Sequence, residues 1–99
     1  MKTLKNQIKE FLQELGFTVN YDDNRRKFNS TYMYLYTERD NIAVRVQHYK
    51  KVNNVYINVH NIDNWDIHYN KHNVTQKDIK SIKDIIRKIV NNTINYLDN

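Results

Sequence analysis

Apolar residues near the start of the chain fall at Leu4, Ile8, Phe11, Leu12 and Leu15. That three-to-four spacing predicts an amphipathic helix from about Lys2 to Leu15. Thr3 is suited to its N-cap, and Gly16 falls where a left-handed C′ residue ends a helix, with Phe17 next in line to fold back on the last turn. The period then changes to two. Phe17, Val19 and Tyr21 alternate with polar residues and predict a first strand with those three on one face. Phe28 to Thr37 reads as a second strand, with Thr31, Met33 and Leu35 against Tyr32, Tyr34 and Tyr36. Ile42 to Tyr49 sets Ile42, Val44, Val46 and His48 against Ala43, Arg45, Gln47 and Tyr49. Val55 to His60 sets Val55, Ile57 and Val59 against Tyr56, Asn58 and His60. A weaker fifth strand, Trp65 to Tyr69, puts Trp65, Ile67 and Tyr69 on one side. From Gln76 to Leu97 the helical period returns, through Ile79, Ile82, Ile85, Ile86, Ile89, Val90, Thr93, Ile94 and Leu97. Thr75 and Asp78 form a capping pair at its start.

The predicted order is α-β-β-β-β-(β)-α. Short polar loops between consecutive strands require antiparallel neighbours. Two helices with one apolar stripe each, and a sheet with one aliphatic face, define a two-layer α+β domain spanning residues 1–99. Both helices lie on the aliphatic face of a four- to five-stranded sheet. Pairing Thr37 with Ile42 across a four-residue turn, and Tyr49 with Asn54, keeps every aliphatic residue inward. The face left open then presents Tyr32, Tyr34, Tyr36, Arg45, Gln47, Tyr49, Tyr56, Asn58 and His60. Tyrosine and arginine dominate contact surfaces between proteins. Rings interleaved with cations also stack nucleic-acid bases.

Composition narrows the chemistry. There is no cysteine, so disulfides, thiolate metal sites and cysteine nucleophiles are excluded. One glycine and no proline exclude glycine-rich phosphate loops. Asn, Ile, Lys and Tyr are abundant while Ala, Gly and Pro are nearly absent, the bias of an A/T-rich genome. The N-terminal stretch has no apolar core for a secretory signal and no run long enough for a membrane helix, so a soluble, cytoplasmic protein is expected. The net charge of +5 favours anionic partners. Its concentrations are Arg25, Arg26 and Lys27, then Lys50 and Lys51, then Lys80, Lys83 and Arg87 on the last helix, candidates for steering or phosphate contact.

Catalytic constellations are not evident. No serine sits in a nucleophile elbow. The expected strands two to four carry no carboxylate for a metal-dependent nuclease. His60, Asp63, Asp66, His68 and His72 are close in sequence but match no metal-binding spacing, so no cofactor or metal is expected. The helix–strands–helix order loosely resembles the double-stranded-RNA-binding domain. The proline-containing loop and the lysine-rich helix start of that family are missing, with Thr75-Gln76-Lys77-Asp78-Ile79 in their place. The overall profile of small size, A/T-rich bias and open aromatic face resembles small accessory proteins of phages of low-GC bacteria, anti-CRISPR proteins among them. That resemblance implies a non-enzymatic inhibitor that binds a nucleic-acid-processing host protein or defence complex. The alternatives are a nucleic-acid-binding module, with tyrosines on bases and Lys80, Lys83 and Arg87 on phosphates, and a self-associating module or homodimer.

Overall fold

A computed structural model describes residues 3–23, 32–49 and 55–97. Helix α1 (Leu4–Glu14) is followed by strands β1 (Thr18–Asp22), β2 (Tyr32–Arg39), β3 (Ile42–Tyr49), β4 (Val55–Asn61) and β5 (Ile67–Val74). A 3-10 turn (Gln76–Asp78) then leads into helix α2 (Ile79–Leu97). The strands form one antiparallel sheet in the order β1-β2-β3-β4-β5. A single core joins Leu4, Ile8, Phe11 and Leu12 of α1 and Ile79, Ile82, Ile86 and Val90 of α2 to the aliphatic sheet residues Leu35, Val44, Val46, Ile57 and Val59. The two-layer α+β arrangement follows directly, because all three apolar surfaces are buried against one another.

The ends of α1 are closed by local chemistry. Thr3 accepts a hydrogen bond from the Asn6 backbone N–H at 3.1 Å. At the other end the Phe17 N–H reaches Leu12 O at 2.9 Å and the Gly16 N–H reaches Gln13 O at 3.0 Å, a Schellman closure. Gly16 sits at φ 93°, and a Cβ there would meet nothing closer than the Arg39 side chain at 3.8 Å. The space is free, so the cost of Gly16→Ala is backbone strain alone. It is expected to destabilise by about 1 kcal/mol, read as a lower urea midpoint with an unchanged slope. Arg39 adds a third closure: its Nη1 donates to Leu15 O at 2.6 Å.

Four sequence expectations are corrected. β2 and β3 turn through Asp40-Asn41 rather than four residues, and Asp40 adopts φ 53°, a conformation aspartate tolerates. Thr37 therefore faces Val44 and Leu35 faces Val46, two residues from the expected register. A shift of two leaves each side chain on its face. β3 against β4 has the expected register, with Val46 opposite Ile57 and Val44 opposite Val59.

β1 carries an extra residue between Val19 and Tyr21. This bulge turns Tyr21 to the open face beside Tyr36 and turns Asp22 inward beside Leu35, so Tyr21 does not share a face with Phe17 and Val19. β5 starts at Ile67 and runs to Val74, longer than expected, with register shifts in its pairing to β4. These separate Ile67, opposite His60 on the open face, from Tyr69, opposite Val59 on the core face. Finally, β2 continues past Thr37 and includes Glu38. The expected strand residues 28–31 and the basic residues Arg25, Arg26, Lys27, Lys50 and Lys51 lie outside the described residues.

Candidate binding face

With both helices on one side, no layer among the described residues covers the other face of the sheet. Its cross-strand rows follow from the register. One row is Tyr34, Gln47 and Tyr56. The next is Tyr21, Tyr36, Arg45, Asn58 and Asn70. A third is Glu38, Ala43, His60 and Ile67. Backbone pairing of Tyr32 with Tyr49 continues the face toward one end of the sheet. The expected set is thus brought to one face, although the Tyr32 side chain lies outside the description. Tyr21 and Tyr34 touch, with ring centroids 5.7 Å apart. Tyr56 stacks on His72 at 4.3 Å.

Four residues on this face were not anticipated. Tyr21 arrives through the bulge. Ile67 and His72 depend on the register and length of β5. Trp65 is not in a strand at all: it precedes β5 with φ 63° and lies parallel over the His60 ring, 4.9 Å between centroids and 7° between planes. The turn that carries it is built by asparagine side chains. Asn61 Oδ1 accepts from the Asp63 N–H at 2.8 Å, and Asn64 Oδ1 accepts from the Asp66 N–H at 3.0 Å. Such Asx turns were readable in the Asn-Ile-Asp-Asn run.

The face is apolar at its periphery and polar beneath. The exposed large hydrophobic residues identified among the described residues are Tyr21, Tyr49, Trp65 and Ile67, and all four lie here; Trp65 is 68% exposed. Asn58 and His60, expected as surface contacts, are instead buried, because Trp65, Tyr56 and their neighbours lie across them. Asn58 Oδ1 is 2.9 Å from His60 Nδ1, and Asn58 Nδ2 donates to Tyr56 Oη at 3.3 Å. Glu38 corrects the expectation of strands without carboxylates. It accepts from Tyr36 Oη at 3.2 Å and from Asn20 Nδ2 at 2.7 Å. Burial, then the bond to Glu38, raises the Tyr36 hydroxyl above its ordinary pKa.

The basic residues of α2 belong to the other layer. Lys83 Nζ lies 5.5 Å, and the Arg87 guanidinium 5.0 Å, from the centre of the Phe11 ring. Arg87 also pairs with Asp84 at 2.9 Å. These two cations lie over the Phe11 ring where α2 meets α1, although Arg87, like Lys80, is exposed. Asp78 caps the helix start, accepting from the Thr75 N–H at 2.9 Å and pairing with Lys71 at 3.1 Å. The cluster weighed for metal binding does not assemble: His60 is under Trp65 and His72 is on Tyr56. No group of three or more acidic or histidine side chains suited to a metal occurs among the described residues.

His60 and His48 make folding pH-dependent. Burial lowers both pKa values, aided by the Arg45 charge at His60 and the Lys5 charge at His48. The unfolded chain takes up these protons near the ordinary value of 6.5 and the folded chain resists them. Their contribution is therefore complete above that pH and is lost as pH falls below it. The melting temperature is expected to drop between pH 7 and pH 5, less so in His60→Phe. Scanning calorimetry across that range checks it.

The fold and face together define an open-faced α+β sheet module. Compared with known proteins, the chain matches no family model, no curated protein and no solved structure. No helix among the described residues is long and apolar enough to cross a membrane.

Proposed function

We propose that this is a non-enzymatic binding protein that docks a protein partner through the open face of its sheet, as an inhibitor or adaptor. The observation that carries the reading is that Tyr21, Tyr49, Trp65 and Ile67 are exposed on the one sheet face that no layer among the described residues covers. These four residues stand around the edge of the face, and the half-buried rings of Tyr34, Tyr36 and Tyr56 continue the aromatic surface between them, so they are not scattered singly. Tryptophan and tyrosine are also the side chains that most often anchor a protein contact. The likeness in profile to phage accessory proteins points to a nucleic-acid-processing host protein or defence complex in the bacterial cytoplasm as the class of partner.

Direct nucleic-acid binding is the weaker reading for a geometric reason. Rings that would stack bases are on the open face, while Lys80, Lys83 and Arg87 are on the opposite layer. One short strand of nucleic acid does not reach both. The decisive experiment pairs capture from a low-GC bacterial lysate with titration of labelled single-stranded and duplex DNA and RNA at two salt concentrations. We expect a partner that survives moderate salt, is lost in Tyr34→Ala and Tyr49→Ala, and is kept in Lys80→Glu. Tight, strand-selective nucleic-acid binding near physiological salt would overturn the reading. So would a concentration-dependent mass showing that the face is closed by a second copy.

A further inference from the structure

The open face holds two buried polar atoms of opposite kind without partners among the described residues, and one of them lies beneath Trp65. His60 is 3% exposed, and its Nε2 is buried with no hydrogen bond among the described residues. Its Nδ1 is engaged by the Asn58 carbonyl oxygen at 2.9 Å. That bond puts the imidazole proton on Nδ1 and leaves Nε2 as a bare acceptor. On the neighbouring strand, Arg45 Nε–H is likewise buried and unpartnered. Arg45 faces Asn58, two residues along β4 from His60, so the two orphan groups are diagonal neighbours on one face. Buried polar groups are nearly always satisfied. An unsatisfied acceptor and an unsatisfied donor on adjacent strands describe the group that would complete them once Trp65 is drawn off His60.

We infer that this site receives a side-chain carboxamide, of asparagine or glutamine, presented by the protein partner: its NH2 donates to His60 Nε2 and its carbonyl oxygen accepts from Arg45 Nε–H. The inference rests on the proposed docking through this face and specifies its chemistry. Charge selects the neutral group. A cation would approach Arg45, and a carboxylate would meet both the His60 lone pair and Glu38, which lies across Ala43 from His60. The planar amide also matches the flat indole of Trp65, already parallel to the imidazole. A nucleobase edge carries the same donor and acceptor. It would bring phosphates to a surface where Asp63 and Asp66 are exposed beside Trp65 and Arg45 is the cation of the polar cluster, so the protein amide is favoured.

The test uses the intact, nitrogen-15-labelled protein and simple probes. N-acetylglutamine amide, N-acetylglutamate amide, ethylammonium and cytidine are each titrated. The Arg45 Nε–H, the His60 ring nitrogens and the Trp65 indole N–H are followed by NMR. The glutamine derivative is expected to move all three saturably, and the glutamate and ammonium probes are not. His60→Phe keeps a ring under Trp65 and removes the acceptor; Arg45→Met removes the donor and keeps the stem. Each should weaken the response about tenfold, the worth of one lost hydrogen bond. No saturable response, an equal response to the glutamate probe, or stronger binding of cytidine would overturn the inference. Failure here with partner capture still lost in Tyr34→Ala leaves the docking face standing. Amide binding with capture unaffected by Tyr34→Ala removes the docking face instead.

Discussion

Asp22→Ala is expected to cost about 3 kcal/mol of folding stability, the lower end of what breaking a buried ion pair costs. Lys5, on the inward side of α1, is 1% exposed. Its ammonium is hydrogen-bonded to Asp22 Oδ1 and lies 3.5 Å from Asp23 O. Lys9 holds the second Asp22 oxygen at 2.7 Å. Burial alone would raise the Asp22 pKa; hydrogen bonds and charge from Lys5 and Lys9 outweigh it and hold the carboxyl below its ordinary value. Removing the carboxylate leaves a buried cation short of its counter-ion. The side chain of Asp22 keeps 13% exposure, which keeps the expected loss at the lower end. For a domain whose whole stability is about 5–15 kcal/mol, that is a large fraction. Lys5→Met is expected to cost less, since it keeps the volume and leaves no buried cation, while Lys9 still holds the Asp22 carboxylate. The double variant should recover most of the loss. Urea unfolding of all three proteins is the measurement, and equal losses in Asp22→Ala and Lys5→Met would contradict this account.

Trp65→Ala is expected to weaken partner binding about thirtyfold or more while leaving the fold intact, the behaviour of a central aromatic anchor. Two features separate its binding role from a structural one. The side chain is mostly exposed, so its loss opens no core cavity. Its backbone is at φ 63°, a conformation disfavoured for a bulky residue. Trp65→Gly should therefore be at least as stable as Trp65→Ala and bind as poorly. Comparing dissociation constants and melting temperatures of the two variants checks both halves.

Most of the fold was legible because burial and periodicity agree over β3, β4 and both helices. Ile42, Val44, Val46, Ile57 and Val59 are all buried as their alternation requires. Alternation failed wherever a strand takes an extra residue. At Tyr21 in β1 and around His68 in β5, a period-two reading assigns the wrong face beyond the bulge, and no residue type marks the bulge in advance. The same limit governed the site. Tyr34, Tyr36, Arg45 and Tyr56 were found on regular strands. Trp65 was missed because its place depends on a turn closed by Asn61 and Asn64 and on a positive φ. Lys5 escaped notice because a lysine at a helical position reads as solvated. The inward turn of Asp22, itself a product of the bulge, and the Asp23 carbonyl beside it supply the reason to bury it.

The meander leaves β1 and β5 as the two edges of the sheet, and the irregularities fall on those strands: the extra residue in β1, and in β5 two register shifts and Asn73 at φ 56°. An interrupted edge is a poor template for another strand. Association through the face can therefore end at a closed complex, whereas pairing through the edges would add copies without limit. The bulges that make the edge strands hard to read in sequence thus also bear on stoichiometry: they disfavour the edge-to-edge addition of further copies.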